Sequence, residues 1–340
     1  MIKVLMIMYE PNICNLIRIG WPATCISENH QDEVELSLIT GEFNPWDIAL
    51  LRQFDIIHFH SYFGRFESSE ELWGKLQAQG VKMIMDLDDY WLWPEEMPIT
   101  KALKEQGLYG REVETLKLAD YVTVTTRHFA ELVKEHNENV KVLPNGIHVK
   151  HEIWQDNVTD SDVVRIAWLG SVQRLHDLER LRKGIKMIYS DKDLEGKFSF
   201  AVYGARQEDA TDIFEGPGFK RYDAESPNTY ANYYDNVDVC LAPLDRTVFN
   251  SCRSELKYVE AGVKKKVFIG ENFTPYAEDI EHGVTGMLVD TPEEWYSCMR
   301  QVILNKDLRD TLRNNLHDLV KDKFDIENVV KDRVEFYKLI

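Results

Sequence analysis

Short apolar runs alternate with longer amphipathic segments along most of the chain. Six of these runs lie in the first half, and we predict that they are strands, at 3–8, 35–40, 55–60, 82–86, 121–125 and 140–143. Five more predicted strands follow in the second half, at 164–169, 198–203, 237–242, 267–269 and 287–289. Helical patterns occupy the segments between them. This alternation is typical of parallel sheets covered by helices.

A polar stretch separates the two series of strands. Pro144-Asn145-Gly146 is a strong turn signal, and the residues that follow it, to about 162, show no clear periodicity. We therefore predict an α/β protein with two Rossmann-like domains that face a cleft, at 1–146 and 163–325. Ligands of such sheets bind beyond the carboxyl ends of the strands.

Composition and net charge limit the kinds of molecule that the protein is expected to bind. The chain has 340 residues, 40 Lys and Arg against 58 Asp and Glu, and a formal net charge of −18. Such a charge makes nucleic acid or an anionic lipid surface an unlikely partner, because both are bound through Lys and Arg, although a local basic groove would be compatible with it. The five cysteines are scattered without C-x-x-C spacing, which predicts neither a zinc site nor a disulfide framework and fits a reducing compartment.

The apolar segments are too short for a membrane span. No run approaches the roughly 20 residues that a spanning helix needs, and the apolar N-terminus is better explained as a first buried strand than as a signal peptide. We therefore expect a cytoplasmic protein with no integral membrane segment.

Several catalytic signatures are missing from the sequence. It contains no G-x-G-x-x-G after a strand, no G-x-x-x-x-G-K-[ST] and no G-x-S-x-G. Their absence argues against dinucleotide-dependent dehydrogenases, P-loop NTPases and α/β-hydrolases.

The most informative block runs from 237 to 289. A helix is predicted to start near Ser254, whose hydroxyl can cap it, and such a helix start is a ready anion site. Arg253 at that point and Lys257 one turn later add positive charge suited to a pyrophosphate. Glu260 shares the helix face of Lys257 at i+3 and could accept hydrogen bonds from the two hydroxyls of a ribose.

Five segments in chain order resemble the retaining GT-B-fold glycosyltransferases of family 4 (glycosyl transferases group 1). They are D-I-I-H-F-H at 55–60, A-D-Y-V at 119–122, L-P-N-G-I at 143–147, I-A-W-L-G-S at 166–171, and E-A-G at 260–262 followed by G-V-T-G-M-L-V at 283–289. Each segment is weak alone, and their order makes the resemblance specific.

This resemblance implies a function and an arrangement. A sugar would be transferred from a nucleotide-diphosphate sugar to a hydroxyl acceptor, with the anomeric configuration retained. The favoured donors are UDP- and GDP-sugars. The acceptor would be a glycan, a lipid-linked sugar or a small molecule. The donor would bind the C-terminal domain and the acceptor mostly the N-terminal one, to which the final helix, 326–340, would return. Neither a metal nor another cofactor is implied, because positive side chains and a helix N-terminus stabilise the leaving diphosphate.

The resemblance and the local chemistry together give a set of candidate site residues. The predicted catalytic residues are Arg253, Lys257 and Asp88. The predicted donor-binding residues are Gly170, Ser171, Arg174, Tyr203, Pro243, Asn250, Ser254 and Glu260. The predicted acceptor-binding residues are Gly20, His60, Asp89 and Trp91. No metal ligands are predicted.

The sequence departs from the family pattern at several of these positions. An E-x7-E motif that ends at Glu260 would begin at Cys252, and Glu255, the nearest carboxylate, lies on another predicted helix face. Only Gly20 remains of the usual Gly-Gly loop, and the usual Arg…Lys pair is reduced to Arg174. Two aspartates, at 88 and 89, replace the usual His-Asp pair.

Three alternatives stay open at this stage. One is a bacteriophage-type glycosyltransferase that acts on modified DNA bases, which salt-dependent retention on DNA would reveal. Another is a non-catalytic, glycosyltransferase-like partner subunit, suggested by Cys252, which would bind nucleotide without turnover. The third is a GT-B enzyme that is not a transferase, such as an epimerase or a phosphorylase.

Overall fold

A computed structural model of the chain describes residues 1–10, 12–61, 70–157, 159, 161–204 and 212–340. The chain divides into two compact units. The first unit comprises Met1–His148, Ser251–Glu255 and Phe324–Ile340, and the second comprises Val149–Asn250 and Leu256–Lys323. The short segment Ser251–Glu255 therefore belongs to the first unit, although the second unit flanks it on both sides in sequence.

The first unit contains a six-stranded parallel sheet. Its strands are β1 (Ile2–Met8), β2 (Val34–Thr40), β3 (Ile56–His60), β4 (Lys82–Leu87), β5 (Tyr121–Val124) and β6 (Val140–Val142). They lie in the order β2-β1-β3-β4-β5-β6. The central strand β1 is an apolar run because helices cover both of its faces, whereas the edge strand β2 alternates apolar and polar residues.

Helices of the first unit connect these strands. They are α1 (Ile13–Asn15), a π-helical turn (Leu16–Gly20), α2 (Trp21–Asn29), α3 (Ile48–Leu51), α4 (Glu70–Gln77), α5 (Pro98–Glu105), α6 (Glu112–Leu118), α7 (Arg127–Val133) and, from the chain's end, α13 (Ile326–Leu339). Thr126 caps α7 by accepting a hydrogen bond from the Phe129 amide, and Asp325 caps α13 in the same way through Glu327.

The second unit also contains a six-stranded parallel sheet. Its strands are β7 (Val164–Leu169), β8 (Phe198–Tyr203), β9 (Lys220–Tyr222), β10 (Val239–Ala242), β11 (Val267–Glu271) and β12 (Met287–Val289), in the order β12-β11-β10-β7-β8-β9. Its α-helices are α8 (Arg182–Ser190), α9 (Val248–Ser251, whose last residue belongs to the first unit), α10 (Leu256–Val263), α11 (Pro292–Leu304) and α12 (Lys306–Lys323). Its 3-10 helices are Glu152–Trp154, Val172–Leu181, Lys192–Leu194, Tyr230–Asn236 and Tyr276–Glu278.

The predicted fold class is confirmed, and the eleven predicted strands are all present with ends that differ by at most two residues. The sequence pattern missed β9, because its three residues, Lys220–Tyr222, form no apolar run. The helix predicted to start near Ser254 begins at Leu256. The helical segment between β7 and β8 is divided between a 3-10 helix, Val172–Leu181, and α8.

The final helix packs on the first sheet, as predicted. Val330, Val334 and Tyr337 of α13 are buried in one core with Val4 and Met6 of β1. None of the helices in the described ranges is both long enough and apolar enough to cross a bilayer.

The turn at Gly146 fixes the start of α13. The Ile147 amide donates to the Phe324 carbonyl at 2.8 Å, and the Ile326 amide returns a bond to the Ile147 carbonyl at 2.9 Å. A Cβ at Gly146 would approach the Ile326 side chain to 2.7 Å. The glycine of the P-N-G turn therefore allows the close approach that ties the end of the chain to the first sheet.

Candidate functional site

Glu260 is a buried carboxylate of the second unit that other side chains hold in place. It lies in α10 and is 2% exposed. Its Oε1 accepts a hydrogen bond from the Tyr230 hydroxyl at 2.8 Å, and its Oε2 accepts one from the Tyr234 hydroxyl at 2.7 Å. The Nζ of Lys257 lies 3.4 Å from Oε2. A carboxylate offers about four acceptor positions, and Tyr230, Tyr234 and Lys257 use three of them, so one position on Oε1 remains for a ligand.

The start of α10 places one cation beside this carboxylate. The side chain of Lys257 is 37% exposed, so its ammonium is within reach of solvent and ligands. Ser254 lies two residues before the first helical residue, Leu256. Arg253, which the sequence places at the same helix start, belongs to the first unit.

The turn after β7 is held by a close contact with the turn after β8. The Gly170 amide donates to the Tyr203 carbonyl at 3.0 Å. Gly170 is a predicted donor-binding residue, but its N–H is therefore not available to a diphosphate. The next amide, of Ser171, has no acceptor among the described residues. Gly204 has φ +90°, and a Cβ there would come within 1.9 Å of the Gly170 carbonyl oxygen. Only glycine fits at 204, and no local pattern in the sequence marks this position.

A buried aspartate organises the loop between β10 and α9. The Oδ1 of Asp177 accepts hydrogen bonds from the Asp245 amide and from the Asn250 Nδ2, both at 2.8 Å. Burial raises the pKa of Asp177 to about 6. Among the described residues, Asp177, Asp245 and His176 also form the one group of three side chains whose ligand atoms could share a metal ion.

The other predicted donor-binding residues lie at or after the carboxyl ends of strands β7, β8 and β10. The guanidinium of Arg174 stacks over the Phe249 ring at 5.1 Å. Tyr203 is buried, with its ring stacked on Tyr222 at 4.5 Å and 6°. Pro243 is buried directly after β10.

His60 and Asp88 form a hydrogen-bonded pair at the carboxyl edge of the first sheet. In the parallel pairing of β3 with β4, His60 lies beside Asp86. Asp88 is the first residue after β4. The His60 Nε2 lies 2.9 Å from the Asp88 Oδ1, and its Nδ1 lies 2.9 Å from the Asn15 Oδ1. Burial lowers the pKa of His60, but the charge and hydrogen bond of Asp88 outweigh it and the net pKa is raised. The structure therefore brings together two of the predicted site residues, with both ring nitrogens of His60 engaged by protein partners.

Asp89 faces Arg253 in the same unit. Their closest atoms, the Asp89 Oδ1 and the Arg253 Nη1, are 3.2 Å apart. Burial and the neighbouring Asp88 charge raise the pKa of Asp89 to about 6 against the opposing effect of Arg253.

No charged residue replaces the carboxylate that the family pattern would place at position 252. Cys252 is fully buried in the core of the first unit, and burial raises the pKa of its thiol to about 12. Glu255 is 2% exposed and accepts a hydrogen bond from the Asn145 amide. Glu255 therefore holds the P-N-G turn, in a loop before α10 rather than on a helix face.

A buried ion pair lies beneath the acceptor-side residues. Arg18 contacts both oxygens of Asp86, at 2.8 and 2.7 Å, and also donates to the Leu143 carbonyl at 2.7 Å and the Asn145 Oδ1 at 2.9 Å. Thr123 donates to the same carboxylate. Both charged side chains are at most 1% exposed. This pair connects β4, the π-helical turn and the P-N-G turn, and the sequence patterns gave no signal for it.

Two predicted acceptor residues are not brought to a ligand-accessible position. Trp91 is 5% exposed, and its ring packs against Phe129 and His136 in the core. Gly20 is buried at the end of the π-helical turn, where a Cβ would contact Leu16 and Met8. Both residues act in packing.

Comparison with known proteins rests on structure, since no family model and no curated protein matches the sequence. Sucrose-phosphate synthase from Thermosynechococcus elongatus aligns over 100% of this chain and 99% of its own, with a TM-score of 0.69 and 13% identity. HepE from Anabaena, solved with UDP and glucose, aligns over 100% of both chains at 0.64 and 12%. A glycosyltransferase from Rickettsia africae aligns over 99% and 98% at 0.63 and 13%. The chain therefore has the GT-B fold of these glycosyltransferases along its whole length.

Proposed function

We propose that this protein is a retaining glycosyltransferase that moves a sugar from a nucleotide-diphosphate sugar to a hydroxyl acceptor. The observation that carries the proposal is the full-length GT-B fold, in which α10, a helix between β10 and β11, holds Lys257 beside the buried carboxylate of Glu260. UDP-glucose is the first donor to test, because HepE was also solved with that molecule.

The donor is assigned to the second unit. Glu260, oriented by Tyr230 and Tyr234, would accept a hydrogen bond from a ribose hydroxyl. Lys257 and the Ser171 amide would stabilise the charge that develops on the leaving diphosphate. These groups can supply that stabilisation without a metal ion. Arg253 is assigned instead to its observed ion pair with Asp89.

The acceptor is assigned to the first unit. Asp88, whose pKa is lowered by the nearby His60 and Arg18 in spite of burial, would accept a hydrogen bond from the attacking hydroxyl. The new bond joins that oxygen to the anomeric carbon on the face that the diphosphate leaves. The bond from the anomeric carbon to the phosphate oxygen breaks, and the acceptor's proton passes to the leaving phosphate.

A thermal-shift panel tests donor binding. We would compare UDP, GDP, ADP, CMP and TDP, first with EDTA and then with Mg²⁺. A nucleotide at about 100 times its dissociation constant stabilises a fold by about 2.7 kcal/mol, which is easily detected. We expect one nucleotide to stabilise the protein equally in both buffers. If none does so in either buffer, the transferase proposal fails; if binding requires Mg²⁺, only metal independence fails.

Two variants and the product then test the mechanism. Glu260→Gln is expected to weaken binding of the nucleotide by about tenfold or more, whereas Glu195→Gln, an exposed control in the same unit, leaves it unchanged. With UDP-glucose and an acceptor, proton NMR of the anomeric position should show α-linked product. A β-linked product would contradict retention, and nucleotide binding without any product from a panel of acceptors would favour the partner-subunit alternative.

A further inference from the structure

A cavity of about 340 Å³ lies at the amino edge of the second sheet. Val164 and Val267, the first residues of β7 and β11, are part of its wall. Strand β7 is six residues long, so at about 3.3 Å per residue the cavity and the Gly170 turn lie at opposite ends of the sheet, roughly 17 Å apart. None of the residues assigned to the donor lines this cavity.

The cavity is strongly basic in an acidic protein. Seven of its sixteen lining residues are Lys or Arg and three are Asp, a formal surplus of four positive charges. The whole chain carries −18. A concave surface that concentrates charge of one sign focuses the electrostatic field and raises the local concentration of ions of the opposite sign.

Three of the basic residues come from one face of α12. Lys306, Arg309 and Arg313 are spaced at i, i+3 and i+7, so their side chains share that face. Lys306 and Arg313 pair with one carboxylate, that of Asp310. Arg309 donates to the carbonyls of Val302 and Ile303, and no described carboxylate lies within ion-pair distance of it. This face therefore has more cations than carboxylates.

The loop before β11 adds two lysines with unusual surroundings. Lys266 is 1% exposed, with its Nζ 3.1 Å from Asp156, and burial lowers its pKa in spite of that partner. Lys265 has φ +51°, a left-handed conformation that is costly for a residue with a Cβ. Neither Lys265 nor Lys197, an exposed lysine on the opposite wall, forms an ion pair with any described residue. The left-handed conformation ends α10, since the Lys265 and Lys266 amides donate to the Gly262 and Ala261 carbonyls, and it leaves the Lys265 side chain at the cavity.

We propose that this cavity binds a small, soluble, phosphate-bearing anion at a site separate from the donor site. Lysine ammonium groups on two walls and the arginines of α12 together match an anion with more than one negative charge. The volume is at the lower end of the range of small-molecule sites, about 300–1,000 Å³, which suits a ligand of sugar-phosphate size. This site does not depend on the proposed transferase activity.

Isothermal titration of the full-length protein with inorganic pyrophosphate, in metal-free buffer, tests the proposal. The double variant Lys197→Ala/Lys265→Ala removes two cavity cations that have no ion pair. The control Lys192→Ala/Lys321→Ala removes the same charge from exposed positions outside the cavity. We expect the first variant to bind at least about tenfold more weakly than wild type and the control to bind within about twofold of it.

Further outcomes separate this site from the donor site and from simple charge attraction. Lys257→Ala can weaken pyrophosphate only at the proposed donor site, so it should leave intact the binding that the cavity variant removes. The proposal is overturned if Lys257→Ala weakens binding and the cavity variant does not, or if both double variants weaken it equally. Absence of binding to the wild type up to about 10 mM pyrophosphate would overturn it as well. Equally tight binding of citrate would overturn the assignment to phosphate.

Discussion

Two histidines that lie two residues apart on β3 share one face of the sheet, but their pKa values shift in opposite directions because they meet different partners. Burial lowers the pKa of His58 to about 4, so this ring is neutral at pH 7. Arg333, which can only donate, lies 3.2 Å from the His58 Nδ1, so the ring proton is on Nε2 and faces Thr123 at 3.1 Å. His60 instead faces Asp88, which raises its pKa. One strand therefore supplies a structural histidine and a polar site residue.

Asp89 gives a prediction for the pH dependence of stability. Its pKa of about 6 in the fold is above the ordinary value for an aspartate, about 3.9, so the folded state holds more protons between about pH 4 and 6. The contribution of this group to stability therefore falls as the pH rises through that window. Asp89→Asn, which cannot ionise, should remove this fall. Urea unfolding of both proteins at several pH values measures it.

The control for Asp89 is Asp32→Asn, which removes an exposed carboxylate from the same unit. This variant should follow the pH profile of the wild type. Equal slopes for the wild type and Asp89→Asn between pH 4 and 6 would show that Asp89 ionises normally in the fold.

The buried pair of Arg18 and Asp86 gives a second prediction. Removal of one partner leaves the other charge buried, which costs about 3–5 kcal/mol, so Arg18→Met and Asp86→Leu should each destabilise the first unit by that amount. The double variant should cost less than the sum by about 2 kcal/mol or more, because no lone charge remains. Urea unfolding of the four proteins measures the coupling.

A surface pair serves as the comparison. Lys134 and Glu131 lie 2.7 Å apart, with side chains 47% and 69% exposed. A cycle of alanine variants at these positions should give a coupling of at most about 0.5 kcal/mol, because water screens the pair. A coupling for Arg18 and Asp86 no larger than this one would contradict the role given to the buried pair.

At the scale of elements, the edge of the second sheet to which we assign the donor has two turns in contact, those at Gly170 and Gly204. Gly204→Ala would force a Cβ toward the Gly170 carbonyl and strain a backbone at φ +90°. We expect a loss of about 3 kcal/mol or more in the stability of the second unit, together with weaker nucleotide binding. Gly196→Ala also has a positive φ, +72°, but open space around it, so it should cost only about 1 kcal/mol. Chemical denaturation compares the two, and similar losses would contradict the close contact.

The segment Ser251–Glu255 shows how an element can serve a unit other than its neighbours in sequence. Its cysteine is in the core of the first unit, its arginine pairs with Asp89 and its glutamate holds the Asn145 amide. Cys252, Arg253 and Glu255 precede α10 directly in sequence, but their side chains make these contacts within the first unit. This is why Lys257 and Glu260, which remain in the second unit, carry the proposed donor site.

At the scale of the whole molecule, net charge gives a prediction about nucleic acid. The charge of −18 repels the phosphate backbone of DNA. The basic cavity of the second unit, with a volume of about 340 Å³, is too small to hold a duplex. We expect the protein to leave a DNA column below about 0.1 M salt. Retention above that concentration would favour the alternative of a transferase that acts on DNA bases.

The strands and their parallel order could be predicted from the sequence because the signal is local. A strand buried on both faces must be an apolar run, and an edge strand such as β2 still alternates apolar and polar residues. Eleven such segments, in two series separated by a polar stretch, indicate two sheets. The glycine of the turn after β7 also follows from a local requirement, because a Cβ at Gly170 would collide with the ring of Trp168, whereas Gly146 of the P-N-G turn is required by the distant Ile326.

Only the tertiary structure decided which side chains meet. Tyr234 is 26 residues from Glu260, and Arg253 lies in a segment remote in sequence from Asp89, so no periodicity connects them. The burial of Trp91 and Cys252 likewise depends on elements that pack over them. Local sequence determines which way a residue points along its own element, whereas partners, burial and pKa depend on other elements that the fold brings to it.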